Sequence, residues 1–353
     1  MTDDKFICVY CNSEKSILES SREHSIPQFL GGNLAPNKYK IKNVCKTCNN
    51  NLGNFVDASF AKSWIVTKSL SDCARQVYTG NNDIPIPLIC MGITKIPDII
   101  IKDDYISEYW LGPSAELIFW IRPDSTEKIS YTGGDPIKNK KSNSTAYLTL
   151  NSDNLDRIEM VIKSFFNKFK NNRIRKIICC KIEGETTGTL FEKYGFFDEP
   201  NEQENYNISS INLFAKNGIK SSINIKENFD YRFIGKMIIS TGYSIFGECF
   251  LKSVNYQEAR KCIYPNEFRE FKIKGIQTLS NTPETKIIYE NLGFRSAVVI
   301  SIIKSNDFYI MTFTINQKIG FMCEIAPSNY DSPFMIKDEG YSLIIIPYLK
   351  KSI

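Results

Sequence analysis

Two Cys-x2-Cys pairs, Cys8/Cys11 and Cys45/Cys48, bracket His24, the sole histidine among 353 residues. Each pair has the spacing of a zinc knuckle, and two knuckles supply the four thiolates of a closed tetrahedral structural zinc site. The 33 residues between Cys11 and Cys45 exceed the usual spacing of a zinc ribbon. They hold Arg22-Glu23-His24-Ser25-Ile26-Pro27 and the Gly31-Gly32 turn, as if zinc clamped the two ends of a working loop. The bland alternative is four unrelated buried cysteines.

Composition narrows the setting. With 42% hydrophobic and 24% charged residues the chain is globular, and its length suits two or three domains. A net charge of +5, from 44 basic and 39 acidic residues, leans toward polyanions but is too small to identify one. Eleven cysteines without an N-terminal apolar signal region point to a reducing, cytoplasmic setting in which thiols bind metal or stay free. No apolar run is long enough to span a membrane.

After Cys48, apolar residues at Leu52, Phe55, Val56, Phe60 and Trp64 follow helical spacing and put Asn49 at or just inside a helix start. Asn there is also an ordinary helix cap. Lys38, Lys40, Lys42 and Lys46 form a basic row beside the loop, suited to phosphates or simply to solvent.

The order Cys-x2-Cys, Glu-His-x-Ile-Pro, Gly-Gly, Asn-Val-Cys-x2-Cys-Asn resembles the HNH endonuclease superfamily in its zinc-stabilised ββα-metal form, over roughly residues 6 to 60. The resemblance implies His24 as general base, Glu23 and Asn49 as ligands of a catalytic divalent cation, and Asn43 as support for the loop carrying the histidine. Asn49 stands where His is often found, so the motif reads H-N-N and is similar to phage junction-resolving nucleases. The implied reaction is hydrolysis of phosphodiester bonds, most of all in DNA, as in bacterial restriction or phage defence. The chemistry suits the residue types. Imidazole titrates near pH 6.5 and can accept a proton from water. Mg²⁺ or Mn²⁺ retains waters and needs only one or two protein oxygens, which a carboxylate and an amide provide. His24 as a satisfied hairpin residue is the alternative.

The remaining chain reads as α+β. Strands are expected at 88–93, 99–101, 116–121 and 146–150, with an amphipathic helix over 154–170 and a strand over 174–182, giving a β-α-β unit. Lys163, Lys168, Lys170, Arg173, Arg175 and Lys176 gather at that helix end, either as a nucleic-acid surface or as cations drawn to a helix C-terminus. Polar loops are expected at 138–144 and 326–340, and a linker or long loop at 200–210. A long apolar helix over 230–251, a shorter one near 256–263 and apolar runs at 297–303, 308–315, 319–325 and 342–348 predict an antiparallel meander packed on helices. The expected division is a zinc-bound ββα-metal module (1–70), an α+β middle region (71–215) and an α+β C-terminal domain (216–353) for recognition, or for assembly with a second copy or a partner protein. Two rivals to a nuclease stand: a zinc module that grips nucleic acid without cutting, and a zinc fold that only docks a protein.

Overall fold

The computed structural model describes residues 5–80, 84–124, 143–150, 157–170, 173–179, 200–220, 227–264, 273–274, 283–331 and 340–353. The architecture is α+β, with two small hairpins and two five-stranded sheets among the described residues. Two compact units emerge: one joins Met1–Ala61 to Lys226–Ile353, the other joins Lys62–Glu127 to Lys138–Ile225. The N-terminal segment and the C-terminal third thus fall in one unit, and most of the middle of the chain in the other.

In the first unit, strands β1 (Lys5–Ile7) and β2 (Glu14–Ser16) form one antiparallel hairpin and β3 (Ser20–His24) and β4 (Lys40–Cys45) another. Helix α1 (Lys46–Leu52) begins at the second knuckle, with the Cys45 sulfur accepting the Cys48 amide at its start. A π turn over Gly53–Asp57 interrupts the expected continuous helix before α2 (Ala58–Lys62). Gly32 is required where it stands, because a Cβ would overlap the carbonyl oxygen of Ile26. The Gly31-Gly32 turn is therefore a steric necessity of the loop.

Helix α6 (Glu227–Phe246) buries the expected face of Phe233, Ile234, Met237, Ile238 and Phe246. Phe233 stacks on Phe60 with centroids 3.7 Å apart and meets Phe313 at 6.0 Å, so one aromatic column joins N-terminal and C-terminal segments. A 3₁₀ turn follows, then α7 (Val254–Ile263), which approaches closely at Gly235, where a Cβ would lie 2.8 Å from the Ala259 carbonyl. The sheet, in order β12-β11-β10-β13-β14, contains the expected meander of β10 (Val298–Lys304), β11 (Phe308–Ile315) and β12 (Ile319–Pro327). Strand β13 (Tyr341–Ile346) returns to the free side of β10 and carries the two-residue β14 (Lys351–Ser352). Much of the expected 326–340 loop lies outside the described residues.

The second unit opens with helix α3 (Trp64–Val77) and holds a sheet in order β5 to β9: Ile89–Ile93, Tyr105–Leu111, Leu117–Pro123, Ser144–Leu148 and Ile174–Ile178. Strands β8 and β9 are parallel with helix α4 (Ile158–Lys168) between them in sequence, which is the expected β-α-β unit. The helix start at 154–156, the strand end at 180–182 and most of the 138–144 loop lie outside the described residues. Residues 99–101 form no strand; Ile100 is 95% exposed, and the pairing partner of β5 is instead Tyr105–Leu111.

The 200–210 linker expectation is overturned by α5 (Glu202–Lys216). Asn201 and Glu204 form a reciprocal capping box, Ile211 is buried, and Asn207 donates to the Tyr147 hydroxyl at 3.0 Å. These local bonds outweigh the polar composition. The basic helix end is largely consumed internally: Arg175 pairs with Glu204, Lys168 lies 4.1 Å from the Trp110 ring centre, and Lys176 caps the Phe166 ring.

Candidate functional site

The four sulfurs of Cys8, Cys11, Cys45 and Cys48 lie within 4.8 Å of one another, with Cys11 half-buried and the others buried. Sulfurs around a tetrahedral zinc at about 2.3 Å would sit roughly 3.8 Å apart, so the set is compatible with a structural zinc. The knuckle turn is made by Asn12, whose φ of 55° places it in the left-handed region and whose amide bonds the Cys8 carbonyl at 2.8 Å. A hydrogen bond from Cys48, aided by the backbone amides of Cys45, Cys11 and Tyr10, outweighs burial and brings the Cys8 thiol down to about 4. The same bond pushes the Cys48 thiol up, so the two sulfurs share a proton that metal binding would displace.

Partners from α7 support this cluster. The Tyr256 hydroxyl donates to the Val9 carbonyl at 2.9 Å, and Arg260 donates to the carbonyls of Tyr10 and Cys11 at 3.1 and 3.0 Å. Tyr264 places its hydroxyl 3.3 Å from the Cys48 sulfur.

The β3-β4 hairpin sets the next layer. Strand alternation turns Glu23 inward, 5% exposed, and His24 outward beside Lys40, its partner across the ladder. Beyond His24 the ladder closes with the Ser25 amide on the Tyr39 carbonyl at 2.8 Å. The His24 Nδ1 lies 3.4 Å from the Gln28 side-chain nitrogen, a contact at the limit of a hydrogen bond. Burial lowers the His24 pKa, helped by Lys40, Arg22 and Lys236 and opposed by the Glu23 carboxylate.

Asn49, inside the first turns of α1, donates its side-chain amide to the Ser21 hydroxyl at 3.0 Å and to the Arg22 carbonyl at 3.1 Å. Helix and hairpin are thereby fixed across one another, which brings Asn49 to the strand that carries Glu23 and His24. The Asn43 carbonyl accepts the Val9 amide at 2.9 Å, so it ties β4 to the first knuckle.

The basic row divides. Lys40 and exposed Lys42 flank buried Ile41 and share the His24 face of β4. Lys46 donates to the Leu18 carbonyl at 2.9 Å, while Lys38 turns toward the Tyr341 ring, 4.2 Å from its centre.

Glu23 has partners that the sequence did not announce. Its Oε1 lies 2.8 Å from Lys236 Nζ and accepts the Tyr10 hydroxyl at 3.2 Å, and Lys236 also pairs with Asp57. Lys236 is 1% exposed. Burial alone would push its pKa down, but Asp57 and Glu23 together hold it above the ordinary lysine value. Asp57 moves up to about 6 because burial outweighs the pull of Lys236, with Glu23 adding to the rise. The available signal for Lys236 was a single charge in the apolar face Phe233-Ile234-x-x-Met237-Ile238; that for Asp57 was its place in the run after Asn49. Arg260 and Tyr264 left no signal, since only the packing of α7 brings them to the knuckles.

Among the described residues no helix is long and apolar enough to cross a membrane. No curated protein and no solved structure matches the chain. Residues 8–65, which contain both knuckles, Glu23, His24, Asn43 and Asn49, match the family model described as HNH endonuclease.

Proposed function

We propose that this segment is a metal-dependent endonuclease that hydrolyses phosphodiester bonds, with DNA as its substrate. The reading is carried by one arrangement: His24 on the open face of a hairpin, following Glu23 on a strand that Asn49 braces at Ser21 and Arg22, inside a segment matching the HNH endonuclease family. His24 is the general base, kept neutral near pH 7 by its lowered pKa and so able to take a proton from the attacking water. Lys40 and Lys42, on the same face, hold the phosphate backbone, and Lys38 and Lys46 extend the basic row at its margins. Zinc on Cys8, Cys11, Cys45 and Cys48 is structural, since four thiolates leave no open position.

The donors also suit a hard divalent cation. Among the described residues, Glu23 Oε2 and Asn49 Oδ1 carry no hydrogen bond, so each has an oxygen to give. Mg²⁺ or Mn²⁺ held there would polarise the phosphate and neutralise the leaving oxygen. Asn43 supports the hairpin by tying β4 to the first knuckle through its bond to Val9. Cleavage in restriction or phage defence is the setting that the resemblance implies.

One observation favours a second reading. Glu23 is already charge-paired with Lys236, as it would be in a zinc module that grips nucleic acid without cutting. A nicking assay on plasmid, linear, single-stranded and branched DNA with Mg²⁺ or Mn²⁺ separates the two. Metal-dependent cleavage that His24→Ala abolishes supports the nuclease; salt-dependent binding without cleavage supports the gripping module.

A further inference from the structure

The Glu23–Lys236–Asp57 group is unusual for where it lies. A lysine ammonium carries three donors and seeks water, yet Lys236 is 1% exposed, on a buried helix face shared with Arg232, Phe233 and Ser240. It is tolerated because two carboxylates face it: Glu23 Oε1 at 2.8 Å, and Asp57 Oδ2 in direct contact. The three come from three segments of one unit, strand β3, the π turn after α1, and helix α6. The charges do not cancel. Among the described residues two carboxylates meet one ammonium, and Asp57 Oδ1 is a buried oxygen without a hydrogen-bond partner. Such an oxygen has room to accept one more donor or a cation. A divalent ion between the same carboxylates would cancel both.

Enzymes that hydrolyse phosphodiesters with two metal ions commonly bridge them through a shared carboxylate, the ions about 3.5–4 Å apart. Glu23 is placed for that kind of sharing. One of its oxygens is held by Lys236, while the other carries no hydrogen bond among the described residues. We propose that Lys236 is the resident cation of the Glu23–Asp57 pair: its ammonium positions the Glu23 carboxylate and fills the place of a second divalent ion. The positioning role rests on the nuclease reading; the exclusion of an ion from the pair does not. Lys236 touches neither substrate nor reacting atoms, so it acts through Glu23. Helix α6 is by this account part of the site, and the cation that faces Glu23 and Asp57 comes from outside residues 8–65.

The test counts Mn²⁺ bound per chain by electron paramagnetic resonance, using the zinc-loaded full chain at fixed pH. Lys236→Met should bind one Mn²⁺ more than the parent. Lys236→Arg, which keeps the charge, should show the parent's count. Asp57→Asn added to Lys236→Met should abolish the gain, because one carboxylate no longer makes a pair. A folded Lys236→Met with the parent's count, or an extra ion in Lys236→Arg, overturns the proposal. If Lys236→Met does not fold, the triple variant Glu23→Gln, Asp57→Asn, Lys236→Met decides. Removing all three charges together should restore a folded chain, and failure to fold shows that Lys236 does something other than balance this pair. Failure of the nuclease reading looks different: the parent then shows no cleavage with Mg²⁺ or Mn²⁺, whatever Lys236→Met does to the Mn²⁺ count.

Discussion

Arg260 donates to the main-chain carbonyl of Tyr10 at 3.1 Å, across 250 positions of sequence. The same guanidinium reaches the Cys11 carbonyl, and Tyr256 one helical turn earlier reaches Val9. The first cysteine knuckle is therefore shaped from outside as well as by its own turn. A segment that looks self-sufficient in sequence depends on a helix far along the chain.

The zinc cluster gives the first expectation. Purified chain should hold about one tightly bound zinc, since four thiolates close one tetrahedral site. Cys8→Ser or Cys45→Ser should release it and unfold the hairpins, because metal binding and folding are one free energy in such sites. Tyr264→Phe should keep the fold but weaken zinc by roughly tenfold, the lower range for losing a partner of a metal ligand. Elemental analysis and chelator competition measure both effects, and well-folded protein without zinc would contradict the assignment.

A fragment of residues 1–70 should be far less ordered than the same residues in the full chain, even with zinc. It lacks Arg260, Tyr256 and Phe233, and it leaves the inward-facing Glu23 without Lys236. In the full chain, Lys236→Ala should cost about 3–5 kcal/mol, the usual penalty for removing one member of a buried ion pair. Amide exchange on the fragment and urea unfolding of the variant provide the readings. Slow exchange throughout β3 and β4 in the fragment would show an autonomous module.

Asn49→Ala and Glu23→Ala should separate the two metals. Both should retain zinc, whose ligands they do not touch, while the Mg²⁺ concentration for half-maximal cleavage rises roughly tenfold or more. Asn49→Ala should also loosen the hairpin, since Ser21 and Arg22 lose their shared donor. Variants with the parent's Mg²⁺ requirement would remove both residues from the cation site.

His24→Ala should lower cleavage by about 10² to 10⁴, the usual contribution of a positioned base, with DNA binding little changed. The pH profile carries a sign. Burial, with Lys40, Arg22 and Lys236, favours neutral imidazole over the opposing Glu23, so the folded pKa lies below 6.5. The rate should therefore hold near neutrality and fall as pH drops through that lowered value. This acid limb must vanish in His24→Ala; its persistence would assign it to a metal-bound water or another group.

In the second unit, Glu108 takes both Arg122 and Lys62, and Trp110 donates to its other oxygen at 3.2 Å. Burial would raise its pKa, but Lys62 and Arg122 outweigh burial and depress it. A depressed carboxylate stabilises above its ordinary value of about 4.5 and loses that contribution as pH falls through the folded pKa. Thermal melts should thus show this unit weakening below about pH 4.5. Glu108→Gln should lower stability at pH 7 by roughly 3–5 kcal/mol and flatten that acid dependence. An unchanged melting point at pH 7 would show that the cluster carries no stability.

The sequence by itself determined what short spacing can determine. Two residues between cysteines are enough to fix a knuckle, and the second knuckle starts the helix that presents Asn49; that Glu23 and His24 stand on opposite faces of a strand came only from the structure. The β-α-β unit and the C-terminal meander were legible for the same reason, because their apolar periods are written locally. The 200–210 segment was misread where capping bonds between Asn201 and Glu204 outweighed composition. What only tertiary structure decided is the surroundings of the site. Lys236, Asp57, Arg260 and Tyr264 gain their roles from how α6 and α7 pack on the hairpins, and such pairings leave no period in the chain. A lone lysine in an apolar helix reads equally as an error or a partner until two carboxylates are brought to it. Burial raises the cost of each unpaired charge, and so the fold, rather than any local preference, selects which carboxylates those are.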